Sequence, residues 1–208
     1  KIGEFFPLQV QNPDEVKRMK VSGMTFDIST YREEGLGHVS GLIASGFFGL
    51  MKMDTLIITP MDVDMPLFSY DRVLAMGNDT LIFELYDTLL GESDMSPVAR
   101  VKEKYKDLPD HDLGEHWYDS IKLSHSLSKK GKKVHTAVFD RCAMEYLESF
   151  LTVAKAAPDC DAAPKREKAS VYVEGLLKHG GPSTDVFKKG IGEEKTAELF
   201  RKVLFATE

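Results

Sequence analysis

From residue 23 to residue 90, apolar and polar side chains alternate with a period near two, the spacing of strands that bury one face. Five runs carry the pattern, at 23–31, 37–44, 49–59, 66–76 and 80–88, separated by Glu-Glu-Gly, Ser-Gly, Pro-Met-Asp and Gly-Asn-Asp clusters. Connections this short leave no room for crossover helices, so the runs predict an antiparallel meander. After Gly91 the period lengthens. Met95, Ser96 and Pro97 open a charged helix to about Lys106, and 113–127 predicts a further helix or a mixed segment. Residues 141–156 set Met144, Tyr146, Leu147, Phe150, Leu151 and Ala154 in a helical stripe, and 165–179 repeats it with Val171, Val173, Leu176 and Leu177. A short helix at 186–189 precedes a last one at 193–205, with Ala197, Phe200, Val203 and Leu204 inward and acids in its first turn. Near the start, Asn12 as cap and Pro13 at the first helical position predict a helix through about Met19. The run 157–166 is the expected mobile loop. Strands followed by helices indicate an α+β chain, with helices packed on an antiparallel sheet and one domain over 1–208.

Two acids fall on greasy strand faces. Asp54 alternates with Leu56 and Ile58, and Asp71 with Leu67, Val73 and Ala75. A carboxyl on an apolar face resists ionisation and can keep its proton near neutrality. If 60–65 is the loop joining the two strands, Thr59 pairs with Pro66 and Asp54 lies opposite Asp71. Their Cβ atoms would then be about 5 Å apart, close enough for two carboxyls to share one proton. A carboxylate serving a buried amide or an arginine such as Arg72 would carry the same pattern, as would a solvated strand face. Glu84 joins Asp71 if Gly77-Asn78 is a two-residue turn, whereas a three-residue turn brings Leu85 there.

Composition narrows the function. A chain of 208 residues with 42% apolar residues can bury a substantial core, and a net charge of −6 excludes a general nucleic-acid footprint. No apolar run approaches the roughly 20 residues of a membrane span, and the opening KIGEFFPLQV does not read as a signal peptide. A cytoplasmic protein with no membrane partner is the expectation. Cys142 and Cys160 are expected as reduced, packed thiols. His111 and His116 stand five apart, the wrong spacing for two ligands on one helical face, so no metal site is expected. His38, between Gly37 and Val39, either faces a pocket or is a satisfied core or edge histidine; His179, before Gly180-Gly181, suits a helix end. The run Lys129-Lys130-Gly131-Lys132-Lys133 predicts a basic turn, either solvated or a docking patch for an acidic protein or an anionic ligand. Neither a nucleotide fingerprint nor a nucleophile elbow occurs, so the chain offers no built-in means of holding a nicotinamide or flavin.

Two stretches resemble the ferredoxin-dependent bilin reductases and, more remotely, the red chlorophyll catabolite reductases. Residues 53–75, with Pro60, Pro66-Leu67-Phe68 and Asp71, are similar to that family's strand–loop–strand core, and 186–205 to its closing helix. The resemblance implies a three-layer α/β/α sandwich with a central antiparallel sheet. An open-chain tetrapyrrole (bilin) would lie between the sheet and the C-terminal helices. It further implies no bound cofactor, single electrons from ferredoxin or flavodoxin, and protons from the pocket. Asp71 matches the family's catalytic aspartate; Asp54, its expected partner, stands where members carry histidine or asparagine. His38, Glu84 and His179 are expected to contact the substrate. The glutamate that family members carry two residues from a strand histidine is missing, with Ser40 the nearest counterpart. A noncatalytic tetrapyrrole or haem carrier on the same scaffold is the alternative, and a purely structural module without an apolar pocket the third.

Overall fold

The computed structural model describes residues 2–6, 8–10 and 18–208. Among them, eight strands form one antiparallel sheet: β1 (Leu8–Val10), β2 (Arg18–Val21), β3 (Met24–Glu33), β4 (Gly37–Gly46), β5 (Met51–Pro60), β6 (Leu67–Ala75), β7 (Asn78–Tyr86) and β8 (Leu127–Lys132). Strands β3 to β7 lie side by side in chain order. β1 and β2 both pair with β3 at one edge, and β8 pairs with β7 at the other. The helices are α1 (Ile2–Phe5), α2 (Ser96–Lys104), α3 (Thr136–Ala156), α4 (Ala162–His179), α5 (Pro182–Ile191) and α6 (Glu193–Glu198). α6 continues as a π-helical segment, Leu199–Leu204.

Alternation along the strands sorts the core into two. On one face Val39, Ile58, Phe68, Leu81 and Phe83 pack against Val98 of α2 and Phe139, Tyr146 and Phe150 of α3. On the other, Phe26, Leu42, Ile57, Leu67 and Tyr86 pack against Tyr172 and Val173 of α4, Phe187 of α5, and Phe200 and Leu204 of the closing segment. Helices therefore cover both faces: the order of elements predicts the α+β class, and the three-layer sandwich is the one that the resemblance implies.

Several local expectations give way. Most of the helix expected at 12–19 lies outside the described residues, but Arg18 and Met19 belong to β2, paired with Asp27 and Phe26. The lysine run is the edge strand β8 with the 3₁₀ turn after it. Lys129 is buried there and donates to the Lys106 and Leu108 carbonyls and to Asp110. Met144 and Val171 face outward, because α3 and α4 turn Phe139, Cys142, Lys165 and Tyr172 inward instead. The expected mobile loop shrinks, since α4 begins at Ala162. Its remainder is tied down by Asp64 N–H donating to Pro158 and Cys160 N–H to Asp62.

Glu33, at the end of β3, is fully buried, and its carboxylate oxygens have no hydrogen-bond partner among the described residues. Burial pushes its carboxyl from 4.5 up to about 7, against the pull of the Arg32 guanidinium. The folded state thus holds this proton more tightly than the unfolded state, a contribution present at low pH and lost as pH rises through about 7. Glu33→Gln is expected to flatten the fall in melting temperature between pH 4.5 and about 7. Parallel melting curves for the two proteins across that window would contradict this.

Candidate functional site

The β5–β6 pairing runs from Met51↔Ala75 to Ile58↔Phe68, placing Thr55 opposite Asp71 and Asp54 opposite Arg72. This is one residue away from the register that sets the two aspartates against each other. Such a slip sends alternate side chains to the other face. The packing decides it: Ile58 and Phe68 must both enter the α3-side core, and their pairing carries Asp54 with them. Asp54 is exposed on that side, while Asp71 points the other way, beneath α4. The expected Asp54–Asp71 proton-sharing pair does not form.

Asp71 has a different acidic neighbour. The β6–β7 turn is Met76-Gly77, both at positive φ, one residue earlier than a Gly77-Asn78 turn. Asp71 then faces Ile82, and Ser69 faces Glu84. Glu84 is therefore diagonal to Asp71 on the same sheet face, within reach of long side chains.

Above these residues lies a cavity of about 230 Å³. Thr55, Asp71, Ile82, Glu84 and Tyr86 form its floor; Tyr172, Phe187, Phe200 and Phe205 line the helical side. Thr55 Oγ1 donates to Asp71 Oδ1. Burial pushes the Asp71 carboxyl from 3.8 up to about 6, with the nearby Glu84 charge adding and the Thr55 bond opposing. Tyr86 donates its hydroxyl to Glu84 Oε2 at 2.6 Å. Glu84 Oε1 has no hydrogen-bond partner among the described residues and lies 3.7 Å from Lys122 Nζ. Tyr86 stacks on Tyr172 with ring centres 4.1 Å apart, and Tyr118 meets Tyr86 edge-on at 5.4 Å. Burial raises all three phenols above their ordinary value, so they stay neutral donors. His116 lines the cavity from a loop, stacked on Tyr118 at 4.8 Å, and its Nδ1 has no hydrogen-bond partner among the described residues.

The other expected contacts lie elsewhere. His38 shares the sheet face of Asp71, but its Nε2 donates to the Val203 carbonyl at 2.7 Å, and it does not line the cavity. Burial lowers its imidazole below the usual value, which keeps the ring neutral. His179 is exposed at the end of α4, its ring 5.6 Å from that of Trp117, and is also absent from the lining. Of the five residues expected in the site, Asp71 and Glu84 line it. Sequence reading missed Tyr86, Tyr118, Tyr172 and His116. For Tyr86 the signal was present, because it stands two residues beyond Glu84 on one strand and must share its face. His116, Tyr118 and Tyr172 arrive from a loop, a 3₁₀ turn and a helix distant in the chain, and no local period marks them.

An acid that keeps its proton to about pH 6, set under aromatic walls, is suited to donating that proton to a bound flat molecule. No family model matches the chain, and no curated protein matches it. Among solved structures it is similar to phytochromobilin synthase from tomato, crystallised in complex with biliverdin. The TM-score is 0.77 and the sequence identity 15%, over 99% of this chain and 79% of that one. At that identity, the likeness is one of fold.

Proposed function

We propose that this chain binds an open-chain tetrapyrrole between the sheet and helices α4–α6, and that it reduces the bound molecule with a proton from Asp71. The observation that carries the reading is Asp71 itself: an acid raised to about 6 on the floor of an aromatic cavity. The shared fold with an enzyme crystallised with biliverdin gives further support.

In this reading, two electrons arrive singly from an external ferredoxin or flavodoxin, and two protons complete the reduction of one double bond. The bilin's own conjugated system carries the unpaired electron between the two transfers. No resident cofactor takes part, and the protein supplies orientation and protons. Tyr86 and Tyr172 present flat apolar surface to the pyrrole rings. Glu84, held through Oε2 by Tyr86, offers Oε1 to pyrrole N–H groups. Asp71, positioned by Thr55, delivers a proton to the reduced bilin and regains one from solvent.

Titration with biliverdin should shift the bilin's visible absorption, and anaerobic addition of reduced ferredoxin should then bleach it. The donor must carry its proton, so turnover is expected to be fastest below about pH 6 and to fall as pH rises through that value. A rate that climbs through the same window would remove Asp71 from the role. An absorption shift without bleaching would identify a carrier in place of a reductase. No shift at all would end both readings.

A further inference from the structure

Pairing across the sheet aligns one row of residues at one end, Gly46↔Met51↔Ala75↔Asn78↔Lys132. Three connections therefore leave the sheet side by side: the β4–β5 turn, the β6–β7 turn and the β8–α3 turn. Each carries a large apolar side chain into solvent. Phe48 is 108% exposed, Leu50 71%, Met76 91% and Val134 82%. Leu50 and Met76 line one shallow groove together with Leu74, Lys52 and Lys133. Isolated exposed apolar residues are ordinary, but a cluster on adjoining turns marks an interaction surface.

The backbone holds this display in place. Phe48 and Met76 adopt φ of 56° and 51°, a left-handed conformation that is costly for bulky side chains. Strain of this kind persists where the surroundings impose it, and it clusters at functional positions. The cations stand just behind the tips. Lys52 lies two residues after Leu50, Lys133 immediately before Val134, and all of Lys52, Lys132 and Lys133 are exposed. Asp79, beside the row, is buried and committed to Arg72 and Thr136, so it does not cancel them. The chain as a whole carries a net charge of −6, which makes this basic end distinct.

We infer that this end of the sheet docks on an anionic lipid surface, with Phe48, Leu50, Met76 and Val134 entering the acyl boundary and Lys52, Lys132 and Lys133 resting among the headgroups. The order of depth, apolar tips ahead of cations, matches that of an anionic leaflet. Projecting side chains on separate turns suit a soft bilayer better than the flat, partly polar face of a folded protein. No helix among the described residues is long and apolar enough to cross a membrane, so the contact is peripheral. It stands apart from the proposed tetrapyrrole chemistry. The cavity does reach toward the same end, because Met53 and Val73, two residues inside the row, line it.

Co-sedimentation with vesicles of phosphatidylcholine, alone or mixed with phosphatidylserine, tests the inference. The intact chain should pellet with the mixed vesicles and be released by salt. Lys52→Glu together with Lys133→Glu should weaken that partitioning by roughly 30-fold or more. Phe48→Ser with Leu50→Ser and Met76→Ser, all at exposed sites, should abolish it while leaving the melting temperature unchanged. Failure to pellet with either vesicle, or pelleting that both variants leave untouched, would overturn the inference. Salt-sensitive retention on immobilised polyglutamate without vesicle binding would also overturn it, reassigning the patch to acidic proteins.

Discussion

Asp71→Asn is expected to bind biliverdin as tightly as the unaltered chain, yet to reduce it roughly 10²–10⁴-fold more slowly, the usual contribution of a positioned proton donor. Asparagine keeps the size of the side chain and can still accept from Thr55 Oγ1, but it has no acidic proton to give. The fall in rate through pH 6 should vanish with it, since that limb belongs to the Asp71 carboxyl. Single-turnover bleaching by reduced ferredoxin, followed beside a biliverdin titration, separates the two properties. A variant that still turns over within about tenfold of the original would show that another group donates. A variant that loses binding would make Asp71 a substrate anchor instead.

The second large effect belongs to stability. Lys165 is fully buried on α4, and its ammonium donates to the Met65 carbonyl at 2.6 Å, the Thr88 carbonyl at 2.7 Å and Asp64 Oδ1 at 3.2 Å. Burial works against charge on Asp64. The Leu90 and Gly91 amides, together with Lys165, nevertheless hold its carboxyl below the usual value. Lys165→Met fills similar space but strands two carbonyls and a buried carboxylate, and should cost about 3–5 kcal/mol of unfolding free energy. Urea denaturation measures the loss. Adding Asp64→Asn should restore much of it, because removing both charges is far less costly than removing one. A loss below about 1 kcal/mol for Lys165→Met would mean that the ammonium is not the link holding α4 to these loops.

The strands could be read in the sequence because each buries alternate residues, and the long helices because each buries a stripe. What the sequence left open was parity. Asp54 and Asp71 each sit on a strand as expected, but which face each takes depends on a single residue of register. That register is set by Ile58 and Phe68 meeting α3, a helix that lies more than 60 residues further along the chain than either acid. Glu84 reached the site for a related reason: the turn formed at Met76-Gly77, which no preference for glycine or asparagine at both positions would select. The edge strand β8 was hidden by its lysines, because Lys129 finds its partners in the segment after α2. For His38 the sequence left a pocket-facing ring and a satisfied one both open, and only the fold shows the carbonyl that satisfies it.

That carbonyl belongs to the π-helical segment, and it bears on how the chain matures. His38 and Ser40 in β4 complete their buried hydrogen bonds only with Val203 and Leu204, which lie 165 and 164 positions further along. During synthesis the sheet can emerge and pair well before those partners leave the ribosome. Until they do, one wall of the cavity is absent and two polar groups on its neighbouring strand stay wet. A nascent chain therefore carries an open trough, and the cavity closes only once residues 203–205 have left the ribosome.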